Sequence, residues 1–333
     1  MPTALPPETI LQDRYRIIGL IGLGGMGAVY LTEDLHLRDE RFALKELTYS
    51  PDADAQLRQQ LRGQFRREAT ALSNLDHPNL PKVFDYFSED GRDYLIMDYV
   101  EGPNLKEALD ETRAEGHNLP EAQVLEWADQ ICDALVYLHG QDPPIIHRDI
   151  KPANVKLPPS GVLKLVDFGL VKFFDAKDPR TITLVHAYGT PTYAPLEQYA
   201  GGTGGTDVRS DIYSLGATLY HLLTGRAPSD AHRRFTDPQS LPSPRTLNPQ
   251  ISALTEYLIL KAMAIRPDDR YQSIHELRRD LAMARNLSLR RRTQRGLALV
   301  WSSLWPHKWL SLTVLMLLVL ALLMTALRIE PLF

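Results

Sequence analysis

The sequence predicts an α+β fold in which strands come first and helices follow. Between Tyr15 and Tyr99, short apolar runs alternate with Gly or charged turns, which is typical of an antiparallel sheet. From Leu105 onward, segments such as TEYLILKAMA and SIHELRRDLAMARNL repeat their apolar residues at helical spacing. With 333 residues and 44% hydrophobic content, the chain can bury a large core, which excludes a disordered chain.

The sheet is predicted from five apolar runs: YRIIGLIG, GAVYLTED, RFALKEL, KVFDYFSED and DYLIMDYV. One helix interrupts these strands, because QLRGQFRREATALSNL repeats apolar residues at helical spacing. The apolar face of that helix consists of Leu61, Phe65, Ala69 and Leu72. The Pro-rich, polar stretch 232–250 predicts a loop.

Charge and cysteine content narrow the function classes. A net charge of -4 gives no general attraction to nucleic acid, so no nucleic-acid partner is expected. The single cysteine, Cys132, cannot form an internal disulfide, and no His or second Cys stands near it in a metal-binding spacing. We therefore expect Cys132 to pack in the core. The start of the chain lacks the basic and apolar pattern of a signal peptide.

A glycine-rich segment, IGLGGMGAVY, covers residues 21 to 30. Gly22, Gly24 and Gly27 follow the G-x-G-x-x-G spacing, which lets a backbone approach phosphate closely. The same spacing also occurs in flexible β-turns and in dinucleotide-binding folds. A dinucleotide fold needs a helix after the glycines, whereas AVYLTED is typical of a strand, and this favours a hairpin.

Lys45 lies in the next apolar run, FALKEL. An isolated lysine in a strand ordinarily turns its ammonium group to solvent. One strand beyond a glycine-rich hairpin, however, Lys45 can reach the α and β phosphates of a nucleotide. Glu68 on the following helix can orient Lys45 by ion pairing if that helix packs inward.

The segments HRDIKPAN and KLVDFGL carry the strongest signal. They place Asp149 and Asn154 five residues apart, followed by Asp167 in a D-F-G sequence. Together with the glycine loop, Lys45 and Glu68, and in this order, they make the chain resemble the eukaryotic-like (bacterial-type) Ser/Thr protein kinase family. The resemblance runs from about residue 15 to 285 and includes three later landmarks: Glu197, Asp211 and Arg270.

The resemblance implies a two-lobed protein-kinase-like fold, with an antiparallel sheet and one main helix in the N-lobe and a helical C-lobe. The expected organisation is an N-terminal tail (1–14) and a kinase domain (15–285), divided into N-lobe (15–97), hinge (98–102) and C-lobe (103–285).

It also implies catalytic roles. Asp149 is expected to align the acceptor hydroxyl as catalytic base, and Lys151 to offset charge at the γ phosphate. Lys45, oriented by Glu68, is expected to hold the α and β phosphates. The expected cofactors are ATP and Mg²⁺, with Mn²⁺ as an alternative; the expected metal ligands are Asn154 and Asp167.

The adenine site follows from the same resemblance. The residues expected around the base are Ile21, Val29, Ala43, Met97, Asp98 and Val100. One position departs from the family, because Lys156 stands where an apolar floor for adenine is usual. Its aliphatic stem can still cover the base while the ammonium group turns away.

Two details indicate the acceptor. The chain resembles Ser/Thr kinases at two positions: Lys151, two residues after the catalytic Asp, and Thr190 in YGTPTY. The expected partners are therefore proteins with Ser or Thr acceptors. The usual A-P-E reads Pro195, Leu196, Glu197, and we expect Glu197 to form a structural buried pair with Arg270.

Thr181 and Thr183 are the predicted phosphorylation sites of the segment after D-F-G. Arg148, directly before Asp149, can pair with a phosphate on that segment and order it. Self-association of the chain for autophosphorylation is also expected. An ordinary loop that needs no modification is the alternative.

The end of the chain predicts a membrane anchor. Residues 309–327 hold no charge over 19 positions, about 28 Å as a helix at about 1.5 Å per residue. A basic linker (286–308) precedes them and a short outer tail (328–333) follows. We therefore expect a single-pass cell-membrane protein that contacts the lipid bilayer through this helix. The positive charge of the linker places the kinase domain on the cytoplasmic side. A buried soluble helix is the alternative.

The sequence thus predicts a membrane-anchored Ser/Thr protein kinase that acts in signalling. The alternative is a membrane-tethered pseudokinase scaffold that binds nucleotide or partners without phosphoryl transfer.

Overall fold

The computed structural model describes residues 4–24, 27–37, 40–47, 55–167, 191–198, 206–288 and 316–323. The chain forms two compact units, Met1–Ala284 and Arg285–Phe333. The first unit contains the glycine-rich, catalytic and D-F-G segments.

The N-terminal part of the first unit is a six-stranded antiparallel sheet, as the sequence predicts. In chain order the strands are β1 (Ile10–Leu11), β2 (Tyr15–Gly24), β3 (Gly27–Asp34), β4 (Arg41–Leu47), β5 (Val83–Glu89) and β6 (Arg92–Asp98). Across the sheet they follow the order β1-β2-β3-β4-β6-β5. The sixth strand, β1, lies in the segment expected to be a tail. It pairs with β2 through the Ile10–Arg16 register, and the backbone N–H of Ile17 donates to the carbonyl of Thr9 at 2.9 Å.

The central strand β4 is buried on both faces of the sheet. Because side chains alternate along a strand, Leu44 points into a small aromatic cluster on one face. Ala43 belongs to the large core on the other face. Lys45 shares that face and stands opposite Leu95 of β6. The sheet therefore presents the lysine to the side where the rest of the unit packs.

Helix α1 (Ala55–Ser73) is the helix that interrupts the strands. Phe65, Ala69 and Leu72 are buried on its inner face, which confirms the predicted packing for these three residues. The Phe65 ring meets the Tyr86 ring of β5 edge to face, with 6.4 Å between ring centroids. The side chain of Leu61 lies outside the described residues.

The described residues that follow the sheet are mainly helical, as predicted. Its helices are α2 (Leu105–Ala114), α3 (Glu121–His139), α4 (Val208–Thr224), α5 (Ala231–Thr236), α6 (Pro244–Leu247), α7 (Ala253–Ala262) and α8 (274–288). Helix α4 is buried along nearly its whole length. A Cβ added at Gly216 would lie 2.8 Å from the Cβ of Ala262, so the absence of a side chain lets α4 and α7 approach closely. Cys132 is fully buried in α3, which confirms its predicted place in the core.

The prediction of a loop over residues 232–250 is wrong in part. Two short helices, α5 and α6, and a 3₁₀ turn at Pro238–Ser240 lie within or across this stretch. The Asp230 side chain accepts from the backbone N–H of Arg233, and Asp237 caps the 3₁₀ turn in the same way. Proline suits the first position of a helix, where its missing N–H is not needed, so prolines here begin helices.

In the part of the chain that the structure describes, no helix is both long and apolar enough to cross a membrane. Of the predicted anchor 309–327, residues 316–323 are helical, with exposed side chains. The other residues of that segment lie outside the described residues, so the anchor stays a prediction.

Candidate active site

The loop that carries HRDIKPAN lies between α3 and a two-stranded ribbon of β7 (Val155–Lys156) and β8 (Lys164–Leu165). Asp211 of α4 fixes the start of this loop. Its carboxylate accepts from the backbone N–H of His147 at 2.9 Å and of Arg148 at 2.8 Å. Burial would raise the pKa of Asp211, but the hydrogen bond with the His139 ring and nearby positive charge hold it below the usual value.

His139 is a site residue that sequence reasoning missed. It stands in the last turn of α3, and its ring nitrogen Nε2 lies 2.9 Å from Asp211. The 3.6-residue periodicity identifies α3 as a helix, but it does not show that a distant carboxylate from α4 meets this turn. Only the fold brings the two residues together.

Asp149 is held by two side chains from its own loop. The Lys151 ammonium group lies 3.0 Å from Asp149 Oδ2. Asn154 Nδ2 donates to the backbone carbonyl and to Oδ2 of Asp149, both at 2.8 Å. The structure therefore brings together three of the residues that the sequence singles out, with the Asp149 carboxylate fixed and a cation beside it.

The space between β4 and the HRDIKPAN loop is called the cleft below. Lys45 lies on its β4 side, and its partner differs from the predicted one. The ammonium group of Lys45 pairs with Asp167, not with Glu68. Asp167 adopts a left-handed backbone conformation, with φ of 66°, which Asp tolerates better than most residues. Burial raises the pKa of Asp167, but the charge of Lys45 and its hydrogen bond outweigh this and lower it. Asp167 thus stays an anion that attracts the lysine.

The predicted Lys45–Glu68 pair is absent from this structure, in which Lys45 pairs with Asp167 instead. Both carboxyl oxygens of Glu68 are buried, and among the described residues neither has a hydrogen-bond partner. Burial raises the pKa of Glu68 to about 9, although Arg148 and Arg67 oppose this shift. Burial without a hydrogen-bond partner therefore favours the uncharged form of the Glu68 carboxyl group in this arrangement.

The residues expected to hold Mg²⁺ fit that ion. The Asn154 amide nitrogen is used by Asp149, which leaves its amide oxygen as the group available to a cation. The backbone N–H of Val166 donates to the carbonyl of Asn154 at 2.9 Å and so holds Asp167, the next residue, beside it. Amide and carboxylate oxygens are the hard ligands that Mg²⁺ prefers.

The adenine side of the cleft is lined by the strands. Ala43 and Met97 are opposite each other in the β4–β6 register and are both buried. Val29 stands opposite Lys45 across β3 and β4 and packs against the same core. Ile21 is exposed, at 48% of its surface. The structure therefore places the four apolar residues on one sheet, with Ile21 at its open end.

The hinge is tied at both ends. The backbone N–H of Asp98 donates to the carbonyl of Lys82 at 2.9 Å, and the Asp98 carboxylate accepts from the N–H of Lys82. Gly102 has φ of 96°, and a Cβ there would lie 2.4 Å from the carbonyl oxygen of Leu157, so glycine is required. Val100 lies between these two fixed points, half-buried.

Lys156 occupies β7 directly beneath this region of the chain. Its backbone forms a bridge with Asn104 at the start of α2, and its side chain is half-buried. Among the described residues Lys156 makes no ion pair, whereas Lys164, opposite it in β8, donates to the carbonyl of Leu80. The predicted use of its stem as the adenine floor stays a prediction.

The glycine-rich segment is a hairpin, which removes the dinucleotide alternative. Gly24 and Gly27 face each other at the end of the β2–β3 pair, with strand on both sides. Gly27 has φ of 142°, and a Cβ there would lie 1.8 Å from the carbonyl oxygen of Glu46. Gly22 has open space around it. Gly27 is therefore needed by the fold, while Gly22 leaves room over the cleft.

The predicted Glu197–Arg270 pair is present. Two guanidinium nitrogens of Arg270 donate to the two carboxylate oxygens of Glu197, at 2.6 and 3.0 Å. Ser210 of α4 adds a hydrogen bond of 2.8 Å to the same carboxylate. This pair joins the segment 191–198 to the helical part of the unit. Thr181, Thr183 and Thr190 lie outside the described residues, so the statements about them stay predictions.

Comparison with known proteins agrees with this geometry. Residues 15–278 match the protein kinase domain family. The serine/threonine-protein kinase PrkC of Bacillus subtilis is 36% identical over 280 residues, which cover 82% of this chain and 41% of PrkC. PknB of Mycobacterium tuberculosis is 34% identical over 288 residues, covering 83% of this chain and 44% of PknB. The chain thus spans about two-fifths of the length of these curated relatives.

Solved structures show the same architecture. The crystal structure of the PknI kinase domain of Mycobacterium tuberculosis superposes with a TM-score of 0.66 at 28% identity, covering 84% of this chain and all of that one. The two-lobed fold, with an antiparallel sheet in the N-lobe and helices in the C-lobe, is therefore confirmed. The chain belongs to the protein kinase domain family.

Proposed function

We propose that this chain transfers the γ-phosphate of ATP to Ser or Thr hydroxyls of protein substrates. The observation that carries the proposal is the hydrogen-bonded set of Asp149, Lys151 and Asn154. It stands in one cleft with the Lys45–Asp167 pair. The similarity to curated Ser/Thr kinases supports the same reaction.

Each side chain has a task in that reaction. Asp149 Oδ2, held by Lys151 and Asn154, orients the acceptor hydroxyl and takes its proton. Lys151 offsets negative charge as the phosphoryl group moves. Mg²⁺, when held by Asn154 and Asp167, neutralises charge on the phosphates. Positioning and electrostatics therefore supply the catalysis, and no covalent enzyme intermediate is needed.

The nucleotide requires Lys45 to change partner. In the structure its ammonium group rests on Asp167, which is needed for the metal ion. An ionised Glu68 offers Lys45 an alternative carboxylate, and it becomes ionised when α1 moves so that water or the lysine reaches it. We propose that Lys45 leaves Asp167 and pairs with Glu68 when the nucleotide and metal ion bind.

The alternative, a pseudokinase scaffold, is less well supported. Lys156 in the adenine floor is the residue that favours it. Against it, Lys45, Asp149, Asn154 and Asp167 are all present, and they form two pairs, Lys45 with Asp167 and Asn154 with Asp149.

The test is phosphate incorporation by the full chain. Purified wild type and the Lys45→Met and Asp167→Asn variants are incubated with Mg²⁺, γ-labelled ATP and a library of Ser- and Thr-containing peptides. The proposal expects label on peptides with wild type, and at least a hundredfold less with either variant. Equal labelling by all three proteins, or none by wild type, would overturn it.

We propose further that phosphorylation of Thr181 or Thr183 activates the chain, with self-association for autophosphorylation. Arg148 supports this, since it directly precedes Asp149 and its backbone N–H donates to Asp211, which holds it in the catalytic loop. A phosphate on the following segment would find in it a cationic partner. Mass spectrometry of the purified chain checks this; a Thr181→Ala/Thr183→Ala variant with full activity contradicts it.

Finally, we propose that residues 309–327 anchor the chain in the cell membrane as a single span, with the kinase domain cytoplasmic. The support is the absence of charge over these 19 residues and the helical, exposed and apolar residues 316–323 within them. The Arg residues before the segment, and Trp301, Trp305 and Trp309 near its start, suit the inner interface.

A further inference from the structure

Helix α4 is buried, yet one of its faces is polar. Residues 210 to 224 are all buried, and most of them are apolar members of the main core. The polar exceptions include Asp211, Ser214, Thr218 and His221, at spacings of three, four and three residues. Such spacing places them on one side of a helix, in a single stripe along its length.

Two hydroxyl groups in this stripe hold backbone carbonyls from two different functional segments. Ser214 Oγ donates to the carbonyl of Tyr193 at 2.9 Å, a shorter distance than the 3.1 Å to the carbonyl of Ser210 on its own helix. Thr218 Oγ1 donates to the carbonyl of Ile150 at 3.3 Å. Ile150 lies between Asp149 and Lys151, whereas Tyr193 lies in the segment that leads to Glu197.

Burial of these two hydroxyl groups is unfavourable for stability unless hydrogen bonds offset it. Ser214 is 1% exposed and Thr218 is 0% exposed, and apolar residues surround them. Burying a hydroxyl group is unfavourable unless it finds a hydrogen-bond partner, whereas Ala or Val would fill nearly the same space without this penalty. The bonds satisfy the hydroxyl groups, and their acceptors are the 191–198 segment at Tyr193 and the catalytic loop at Ile150.

We propose that Ser214 and Thr218 are positioning residues, whose hydroxyls hold the 191–198 segment and the catalytic loop at a fixed separation for phosphoryl transfer. The two side chains are one helical turn apart, about 6 Å along the axis, which sets the spacing of the two carbonyls. Asp211, in the same stripe, holds the start of the catalytic loop. The helix therefore sets the distance between the catalytic loop and the 191–198 segment.

This inference rests on the proposed function, and its test separates the two. The first comparison uses two variants of Thr218. Thr218→Val keeps the shape but removes the hydroxyl group, whereas Thr218→Ser keeps the hydroxyl group. With peptide as acceptor, kcat should fall about tenfold in Thr218→Val and recover in Thr218→Ser, while the KM for ATP stays unchanged. If wild type itself transfers no phosphate, the proposed function fails before this comparison begins.

A second comparison tests whether the two hydroxyl groups act together. Ser214→Ala should lower kcat by a similar factor. The double variant Ser214→Ala/Thr218→Val should lower kcat by little more than either single variant, because the loss of one hydrogen bond already lets the distance between the two segments vary. Thr224→Val is the matched control. Thr224 is buried on the same helix, and its hydroxyl donates to the carbonyls of Tyr220 and Arg226, away from the catalytic loop.

The control fixes the meaning of each outcome. Thr224→Val should lower the melting temperature by as much as Thr218→Val but leave kcat as in wild type below that temperature. A kcat for Thr218→Val equal to that of wild type or of Thr224→Val would overturn the proposal. So would a fall in kcat that Thr218→Ser does not reverse.

Discussion

Lys45 pairs with Asp167 and not with Glu68, and the pKa values of these two carboxyl groups are shifted in opposite directions. Burial keeps the proton on Glu68, since its pKa of about 9 lies above neutral pH. Asp167, whose pKa is lowered, is left as the anion in reach of the lysine. Any movement of α1 that exposes Glu68 to water lowers its pKa and returns it to competition for Lys45. Charge state and helix position are therefore coupled at this residue.

This coupling predicts a pH dependence of stability. The pKa of Glu68 rises from 4.5, its ordinary value, to about 9 on folding, so the folded state binds more protons than the unfolded state between these values. Stability should fall as pH rises through this window, by at most about 1.4 kcal/mol per pH unit. Glu68→Gln, which stays neutral, should remove this loss and melt above wild type at pH 8.

Thermal unfolding between pH 5 and pH 9 checks the prediction. The difference between Glu68→Gln and wild type should grow with pH and shrink toward pH 4.5. Glu126→Gln, a change at an exposed carboxylate, is the control and should leave the pH profile unaltered. Parallel profiles for Glu68→Gln and wild type would contradict the buried, protonated state.

Two glycines of the same motif should respond differently to Ala. A Cβ at Gly27 meets the backbone of Glu46, and its φ is 142°, so Gly27→Ala should lower stability by about 1–3 kcal/mol or more. Gly22 has open space, so Gly22→Ala should leave the unfolding free energy unchanged and weaken nucleotide binding instead. Denaturant unfolding and ATP titration of both variants decide this; a loss of stability in Gly22→Ala contradicts it.

Much of the site could be predicted at this scale, because its residues lie close together in the chain. Asp149, Lys151 and Asn154 share one loop, so their order already places them together. The Lys45–Asp167 pair joins residues 122 positions apart, and the choice between Asp167 and Glu68 depends on burial that only the packed fold creates.

Among the elements, strands and long helices follow from periodicity, but short segments do not. Helix α5 begins at a single capping side chain, Asp230, and α6 begins at Pro244 without a side-chain cap. The polar composition of the stretch hides both signals. Strand β1 has only two residues, too few to show a period, and exists because β2 offers it an edge.

The link between the 191–198 segment and the helices predicts a large effect of Glu197. The Arg270 side chain is fully buried, so Glu197→Gln leaves its guanidinium group without a counter-charge. The free energy of unfolding should fall by roughly 3–5 kcal/mol. Replacing both residues, as in Glu197→Gln/Arg270→Met, should recover part of that loss. Chemical denaturation measures it; a single variant as stable as wild type would contradict the buried pair.

For the whole molecule, the two-lobed architecture could be predicted because its motifs occur in the order that the family uses. The sequence alone does not show what covers the apolar segment 309–327, since hydropathy measures its apolar length but not its partner. The compact unit ends at Ala284, close to the predicted limit of the kinase domain.

The anchor predicts the behaviour of the chain on fractionation. The full chain should stay with membranes at about 1 M salt, where the Debye length is about 3 Å and surface attraction is screened, and detergent should release it. A form truncated after Arg285 should leave the membrane fraction and still phosphorylate a peptide. Extraction of the full chain by salt alone would contradict the anchor.

The most direct test of phosphoryl transfer is a single comparison of wild type with Asp149→Asn. Asparagine matches aspartate in shape and can keep the contacts of Lys151 and Asn154 through its amide oxygen, but it cannot take the acceptor's proton. With ATP and Mg²⁺, wild type should label Ser and Thr peptides, whereas Asp149→Asn should bind ATP equally well and incorporate at least a hundredfold less phosphate. Equal incorporation by the two proteins would contradict the assignment of Asp149 and the kinase function built on it.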